Sequence, residues 1–137
     1  MKAIVRYGQA FGGYTMRDVP EPTCGPEDII LEIKAAAIHM KVCNICTTDY
    51  GQWLGLREHQ GYPMAGGHEA AGIVEQVGEK VTDWKVGQRV VSDNSAHVCG
   101  VCPACEMGDF LCCEEKVNLG LDNNTWGGGF SKYCKIP

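Results

Sequence analysis

Cys99-Gly100-Val101-Cys102-Pro103-Ala104-Cys105, followed by Cys113, sets four thiols at a Cys-x-x-Cys-x-x-Cys-x7-Cys spacing with glycine and proline between them. Thiols this close in sequence specify a metal. Tetrahedral zinc with bonds of about 2.3 Å holds its sulfurs roughly 3.8 Å apart, which an i, i+3 spacing in a turning loop supplies and a regular helix or strand does not. The stretch predicts one closed structural zinc with no open position, organising a loop lobe over about 97–118. Such a lobe is an excursion, so the fold's core must come from the chain on either side of it.

Working outward, 18 glycines punctuate short stretches rich in valine and isoleucine, the pattern of a mostly β domain. Strands are expected over 3–6, returning over 14–19 across Gly12-Gly13, then over 28–37, 70–77, 89–92 and 130–136. Gly78-Glu79 and Trp84-Lys85-Val86-Gly87 mark turns between them. A short helix is expected over 47–54, with threonine and aspartate in capping positions. Six or seven short strands with little helix define a small, partly open β-barrel carrying the cysteine lobe.

Nine cysteines in 137 residues also admit a disulfide cluster. Against it, the chain opens Met1-Lys2-Ala3-Ile4-Val5-Arg6, with no apolar export segment, and the cysteine count is odd. Reduced thiols and a cytoplasmic setting are the expectation. A 45% hydrophobic composition builds the core of one small domain over 1–137 and no second one. The net charge of −5, without a basic stripe, argues against nucleic acid. No apolar run approaches the roughly 18 residues of a membrane span, and there is no repeat or low-complexity tail.

Cys46-Thr47-Thr48-Asp49 and Gly66-Gly67-His68-Glu69 form a second constellation. A catalytic zinc keeps one position open for water or substrate, so the protein offers three firm ligands. Cys46 and His68 would be two of them. Asp49 is suited to accept the histidine N–H and fix its tautomer. Glu69 would adjust local charge or exchange with the open position, and the Thr48 hydroxyl would pass a proton from the substrate. Alone, His68 reads more readily as a satisfied core histidine; beside Cys46 and the cysteine lobe it reads as a ligand. Tyr50 and Trp53 read either as cleft wall or as packed core. His97 reads as a solvent-side histidine, His59 as exposed loop, and Cys24 and Cys134 as isolated thiols.

Cys-x-x-Asp at Cys46, Gly-His-Glu-x-x-Gly-x-Val from Gly67, Val-Gly-x-x-Val from Val77, Val86-Gly87-Gln88-Arg89-Val90 and the four-cysteine lobe follow in that order. This series resembles the zinc-dependent medium-chain alcohol dehydrogenases, and almost the whole chain is similar to their GroES-like N-terminal catalytic domain. The resemblance is greatest to the polyol, sugar-alcohol and threonine dehydrogenase branches. It implies Cys46 and His68 as catalytic zinc ligands, Thr48 in a proton relay, Asp49 and Glu69 supporting the metal, and Cys99, Cys102, Cys105 and Cys113 on the structural zinc. Cys112 is left as a spare thiol. The implied reaction oxidises a small alcohol or polyol to a carbonyl compound, with zinc as Lewis acid and NAD or NADP as hydride acceptor in the full-length enzyme.

Two departures qualify the resemblance. No Gly-x-Gly-x-x-Gly turn of a Rossmann cofactor domain occurs, and the remaining catalytic ligand, a cysteine or glutamate in the family, would lie past Pro137. The cofactor domain is therefore expected to be missing and the 137-residue chain inactive alone. Its second zinc would be held loosely, with Glu69, Asp49 or water filling in. Uncovered cleft surface would favour self-association or a homo-oligomer. The second departure is local. Residues 33–38 and 40–45 are two acceptable endings for one strand in tandem, as from a natural loop of roughly seven residues or a spliced or engineered join at His39-Met40. A shifted ending would bring Cys43 or His39 to the metal in place of Cys46.

The rival to a dehydrogenase domain is a stand-alone zinc-stabilised β module for binding or assembly. A cysteine-based redox protein fits less well, because its closely spaced thiols would be metal-bound and unreactive.

Overall fold

The computed structural model of the chain describes residues 1–8, 11–36, 46–56, 63–122 and 127–137. The tandem ending at 39–45, with Cys43 and His39, lies outside the described residues, as does His59. Nine strands, most of them short, and little helix make the described chain mostly β.

Strand β1 (Lys2–Arg6) alternates as a half-buried strand does: Ala3 and Val5 turn into the core while Lys2 and Ile4 face outward. It pairs antiparallel with β2 (Tyr14–Asp18), from Lys2 opposite Asp18 to Arg6 opposite Tyr14. On its other side β1 takes β4 (Met64–Ala65), placing Val5 against Ala65. Ala3, Val5 and Ala65, with Val19 packed on them, form one apolar cluster.

The second sheet runs β6-β5-β3-β9, built from β3 (Ile29–Ala36), β5 (Ala70–Val77), β6 (Arg89–Val91) and β9 (Tyr133–Ile136). All its pairs are antiparallel, and β3 is shared between β5 and β9. Register shifts in the β3–β5 pairing after Ile30 and Ile33 add local bend and twist, which curves the sheet. Ile29, Leu31 and Val74 form its core, with Ile33, Val77, Val81, Val90 and Ile136 against them.

Residues 130–132 close the barrel between the two sheets. Ile4 N–H donates to the Phe130 carbonyl at 2.9 Å, Ala3 bridges Ser131, and Ile33 N–H donates to the Lys132 carbonyl at 2.9 Å. One segment thus serves β1 on one side and β3 on the other. For that reason the last strand begins at Tyr133 rather than at Phe130, where the sequence places its start.

Helix α1 (Thr47–Trp53) is capped by Cys46, not by Thr47: Asp49, at the third helical position, accepts the Cys46 N–H at 3.1 Å. Seven residues do not hold a helix in water by propensity alone. This one docks by burying Asp49 and Gln52, which lie on one face at i and i+3. The cysteine lobe is more ordered than a bare loop. Strands β7 (Ser95–His97) and β8 (Val117–Asn118) pair antiparallel at its base, and between them lie α2 (Pro103–Glu106) and a 3-10 turn at Phe110–Cys112. Among the described residues no helix is long and apolar enough to cross a membrane.

Candidate metal centres

In the lobe, Cys99, Cys102, Cys105 and Cys113 bring their sulfurs within 4.8 Å of one another. Cys99 Sγ lies 3.6 Å from Cys113 Sγ and 4.0 Å from Cys105 Sγ. These separations bracket the roughly 3.8 Å edge of a tetrahedral zinc–sulfur site and are far too long for a disulfide bond. Two backbone amides already point at the cluster: Cys99 N–H donates to Cys113 Sγ and Cys102 N–H to Cys99 Sγ, each at 3.3 Å. The backbone N–H of Cys105, first among several partners, holds the Cys102 thiol below its usual range, while burial pushes the neighbouring Cys105 thiol up. Four buried or half-buried thiols so arranged fit zinc in a closed site. Cys112 stands apart, exposed, with Asp109 raising its thiol above the usual range. All eight cysteines among the described residues are free thiols.

The second cluster joins Cys46, His68 and Glu69, whose ligand atoms also lie within 4.8 Å of one another. Cys46 comes from the cap of α1, and His68 and Glu69 from the loop between β4 and β5. His68 is buried, while Cys46 and Glu69 are half-buried, so the cluster has both an anchored and an open side. Asp49, on the first turn of α1, faces His68 with Oδ1 3.6 Å from Nδ1. That is longer than a formed hydrogen bond, and both atoms are buried with no hydrogen-bond partner. With Nδ1 turned toward Asp49, Nε2 is the ring atom left to coordinate. The Asp49 carboxylate, with a smaller contribution from Cys46, holds the imidazole up at about 9 against the opposing effect of burial. The Thr48 backbone N–H pulls the Cys46 thiol below its usual value, helped by His68 and the Thr48 hydroxyl. A thiolate, an imidazole and a carboxylate converging on one open point fit zinc with an exchangeable position.

The glycines before His68 are there for closeness. Their carbonyls accept from the 127–130 segment: Phe130 N–H donates to Gly66 at 2.9 Å and Gly129 N–H to Gly67 at 2.8 Å. Gly67 has φ +91° and a Cβ on it would stand 2.7 Å from the Phe130 nitrogen, so no other residue fits. Sequence reasoning passed over Arg6, Tyr14 and Gln52. Arg6 and Gln52 are fully buried, the Arg6 guanidinium lies 5.8 Å from the Tyr14 ring centre, and the Tyr14 hydroxyl is bonded to the Gln52 side chain. The signal for Gln52 was its i+3 spacing from Asp49. Tyr50 and Trp53 stack at 5.8 Å and are partly exposed rather than core. His97 is exposed, Cys24 half-buried, and Cys134 fully buried, with desolvation raising its thiol to about 12.

A four-thiol lobe on a small open barrel, together with a second cluster of a thiol, an imidazole and a carboxylate, defines a class. Residues 27–137 match the alcohol dehydrogenase GroES-like domain. The chain belongs to that family. It is 67% identical over its whole length to the zinc-type alcohol dehydrogenase-like protein YdjL of Escherichia coli, covering 36% of that protein. It is 38% identical over 142 aligned residues to the L-threonine 3-dehydrogenase of Symbiobacterium thermophilum, covering all of this chain and 36% of the relative. Among solved structures, a zinc-binding dehydrogenase of Sinorhizobium meliloti bound to NADP superposes with a TM-score of 0.82 at 30% identity, over 99% of this chain and 36% of that one. The chain thus spans little more than a third of the length of the relatives it matches.

Proposed function

We propose that this chain is the zinc-binding catalytic domain of an NAD(P)-dependent dehydrogenase that oxidises a small alcohol or polyol to a carbonyl compound. The observation that carries the reading is the convergence of Cys46, His68 and Glu69 within 4.8 Å, backed by Asp49. The relatives' named substrates, threonine and sorbitol, are small hydroxylated molecules and support the substrate class. The chemistry such a centre supplies when loaded is Lewis acidity toward the alcohol oxygen, with a nicotinamide as hydride acceptor.

The chain's own residues do the rest. Cys46 and His68 hold the metal. Asp49 sets the ring's tautomer and orientation and, through the Cys46 N–H, ties the thiol's backbone to the same carboxylate. Thr48, whose hydroxyl reaches the Cys46 thiol, would take the proton released by the alcohol. Glu69, whose carboxylate lies within 4.8 Å of both ligand atoms, would be an exchangeable third ligand. Cys99, Cys102, Cys105 and Cys113 keep the lobe folded around a second zinc. These 137 residues carry no Gly-x-Gly-x-x-Gly turn for a nicotinamide, so turnover of alcohol is expected to need more of the relatives' length than the chain spans. Free thiols throughout the described residues agree with a cytoplasmic setting.

Metal analysis tests the reading. Two zinc ions per chain are expected, one of them removed by mild chelation with the circular dichroism spectrum unchanged. A single, tightly held zinc would instead make the chain a zinc-stapled β module. Fusing the chain to the remaining length of YdjL should give alcohol-dependent NAD(P) reduction, which the 137-residue chain alone should not show.

A further inference from the structure

The loop that presents His68 is held on two sides. On one, Gly129 and Phe130 donate to the carbonyls of Gly67 and Gly66. On the other stands Gly120, at φ +63°, where a Cβ would collide with the Gly67 carbonyl oxygen and lie 2.6 Å from its carbon and 3.0 Å from its nitrogen. The Gly120 backbone therefore rests directly on the peptide leading into His68. A glycine there meets two separate demands, a left-handed backbone and the absence of any side chain.

Gly120 is itself fixed by the cysteine lobe. It follows β8, whose Asn118 pairs with Ser95 of β7 at the lobe's base. Leu119 is buried at 1% exposure and its N–H donates to the Asn94 carbonyl at 2.9 Å. The turn beyond is tied back twice: the Leu121 and Asp122 N–H groups donate to the Asn118 carbonyl, and the Asp122 carboxylate accepts from the Asn118 backbone and side chain. At the other end of this run Lys116 N–H donates to the carbonyl of Cys113, the fourth lobe thiol. A short, hydrogen-bonded stretch thus connects a lobe ligand to the peptide before His68.

We propose that Gly120 is a positioning residue for His68, through which the four-cysteine lobe sets the geometry of the second metal centre. The proposal rests on the reading of Cys46 and His68 as metal ligands. A centre with so few protein ligands tolerates displacements of only about 0.5 Å before affinity falls.

Gly120→Ala tests this against Gly87→Ala. Gly87 has φ +90° with no atom within 4 Å of a Cβ, so its alanine variant carries backbone strain without a collision. Cobalt(II) titration of the 137-residue chain, followed by its visible spectrum, reads the two centres separately, and amide hydrogen exchange reads Gly129 and Phe130. For Gly120→Ala the second cobalt is expected to bind at least about tenfold more weakly, and the two amides to exchange about tenfold faster, than in Gly87→Ala, with the lobe cobalt unchanged. Equal affinity and equal exchange in the two variants would overturn the proposal. If the unmodified chain takes up only one cobalt, the ligand reading fails, and the exchange comparison alone decides whether Gly120 holds the His68 loop. Should Gly120→Ala not fold, Asn118→Ala loosens the same turn, and a second centre and amides indistinguishable from the unmodified chain would equally refute the coupling.

Discussion

Asp49 turns one carboxylate oxygen toward His68, 3.6 Å from its Nδ1, while the other accepts the Cys46 backbone N–H at 3.1 Å. One side chain therefore references both candidate ligands to the same short helix. Replacing it with asparagine keeps an acceptor for Cys46 but removes the charge facing the ring. Asp49→Asn is expected to weaken the second metal by about 10–100-fold, measured by chelator competition, and to leave the lobe zinc in place. Asp49→Ala should in addition cost about 1 kcal/mol of stability through the lost helix cap, visible in the thermal midpoint.

The same carboxylate sets a pH dependence. The His68 imidazole is held at about 9 in the folded, metal-free chain, above its usual 6.5. Its contribution to stability is fully present below about pH 6.5 and is lost as the pH rises through 9, by at most on the order of 3 kcal/mol. Metal must displace that proton, and any still on the Cys46 thiol, so affinity at this centre should climb by at least about tenfold per pH unit between 6.5 and 9. An NMR titration of the ring beside zinc titrations at several pH values checks both. A ring titrating near 6.5 with flat zinc affinity would contradict the Asp49 contact.

Cys113 and Cys112 are adjacent but unequal. The first is buried with its sulfur 3.6 Å from that of Cys99, and the second is exposed beside Asp109. Cys113→Ser should lose the lobe zinc and melt β7, β8 and the intervening turns, whereas Cys112→Ser should keep full zinc content. Elemental analysis of the two purified variants distinguishes them, and equal loss in both would show that the thiols exchange.

Behind the second centre, the Tyr14 hydroxyl is bonded to the side chain of fully buried Gln52. Tyr14→Phe strands that amide, at an expected cost of about 1–3 kcal/mol. Chemical denaturation measures it, with the slope against denaturant unchanged.

What the sequence made legible follows from how local each feature is. Strand β5 could be read over its full length because eight residues suffice to show an apolar pattern and Gly78 ends it. The lobe's four thiols could be read as one cluster because so close a spacing on a turning loop brings the sulfurs together. Strands β4, β7 and β8 have two or three residues each, too few to show a period, and exist because partners lie beside them. The start of α1 at Thr47 was legible but its cap was not, since the group that caps it acts backward from Asp49 onto Cys46. Placing Cys46 with His68 required the family's order of motifs, as nothing local relates positions 22 residues apart. The packing of Gly120 on Gly67 left no trace at all, because a glycine needed for the room it leaves looks like any other glycine.

One of the two inner strands of the larger sheet, β3, is completed by a strand that lies much later in the chain: Ile29 lies opposite Ile136. During synthesis, one border of β3 must wait with its backbone N–H and C=O groups unpaired until about a hundred further residues have been made. Pairings of such long sequence separation form slowly, and an unpaired strand border recruits neighbouring chains in the meantime. The nascent domain is thus most vulnerable to clumping in the interval before Tyr133–Ile136 arrives, and a chaperone that shields β3 would raise its yield more than one acting on the finished fold.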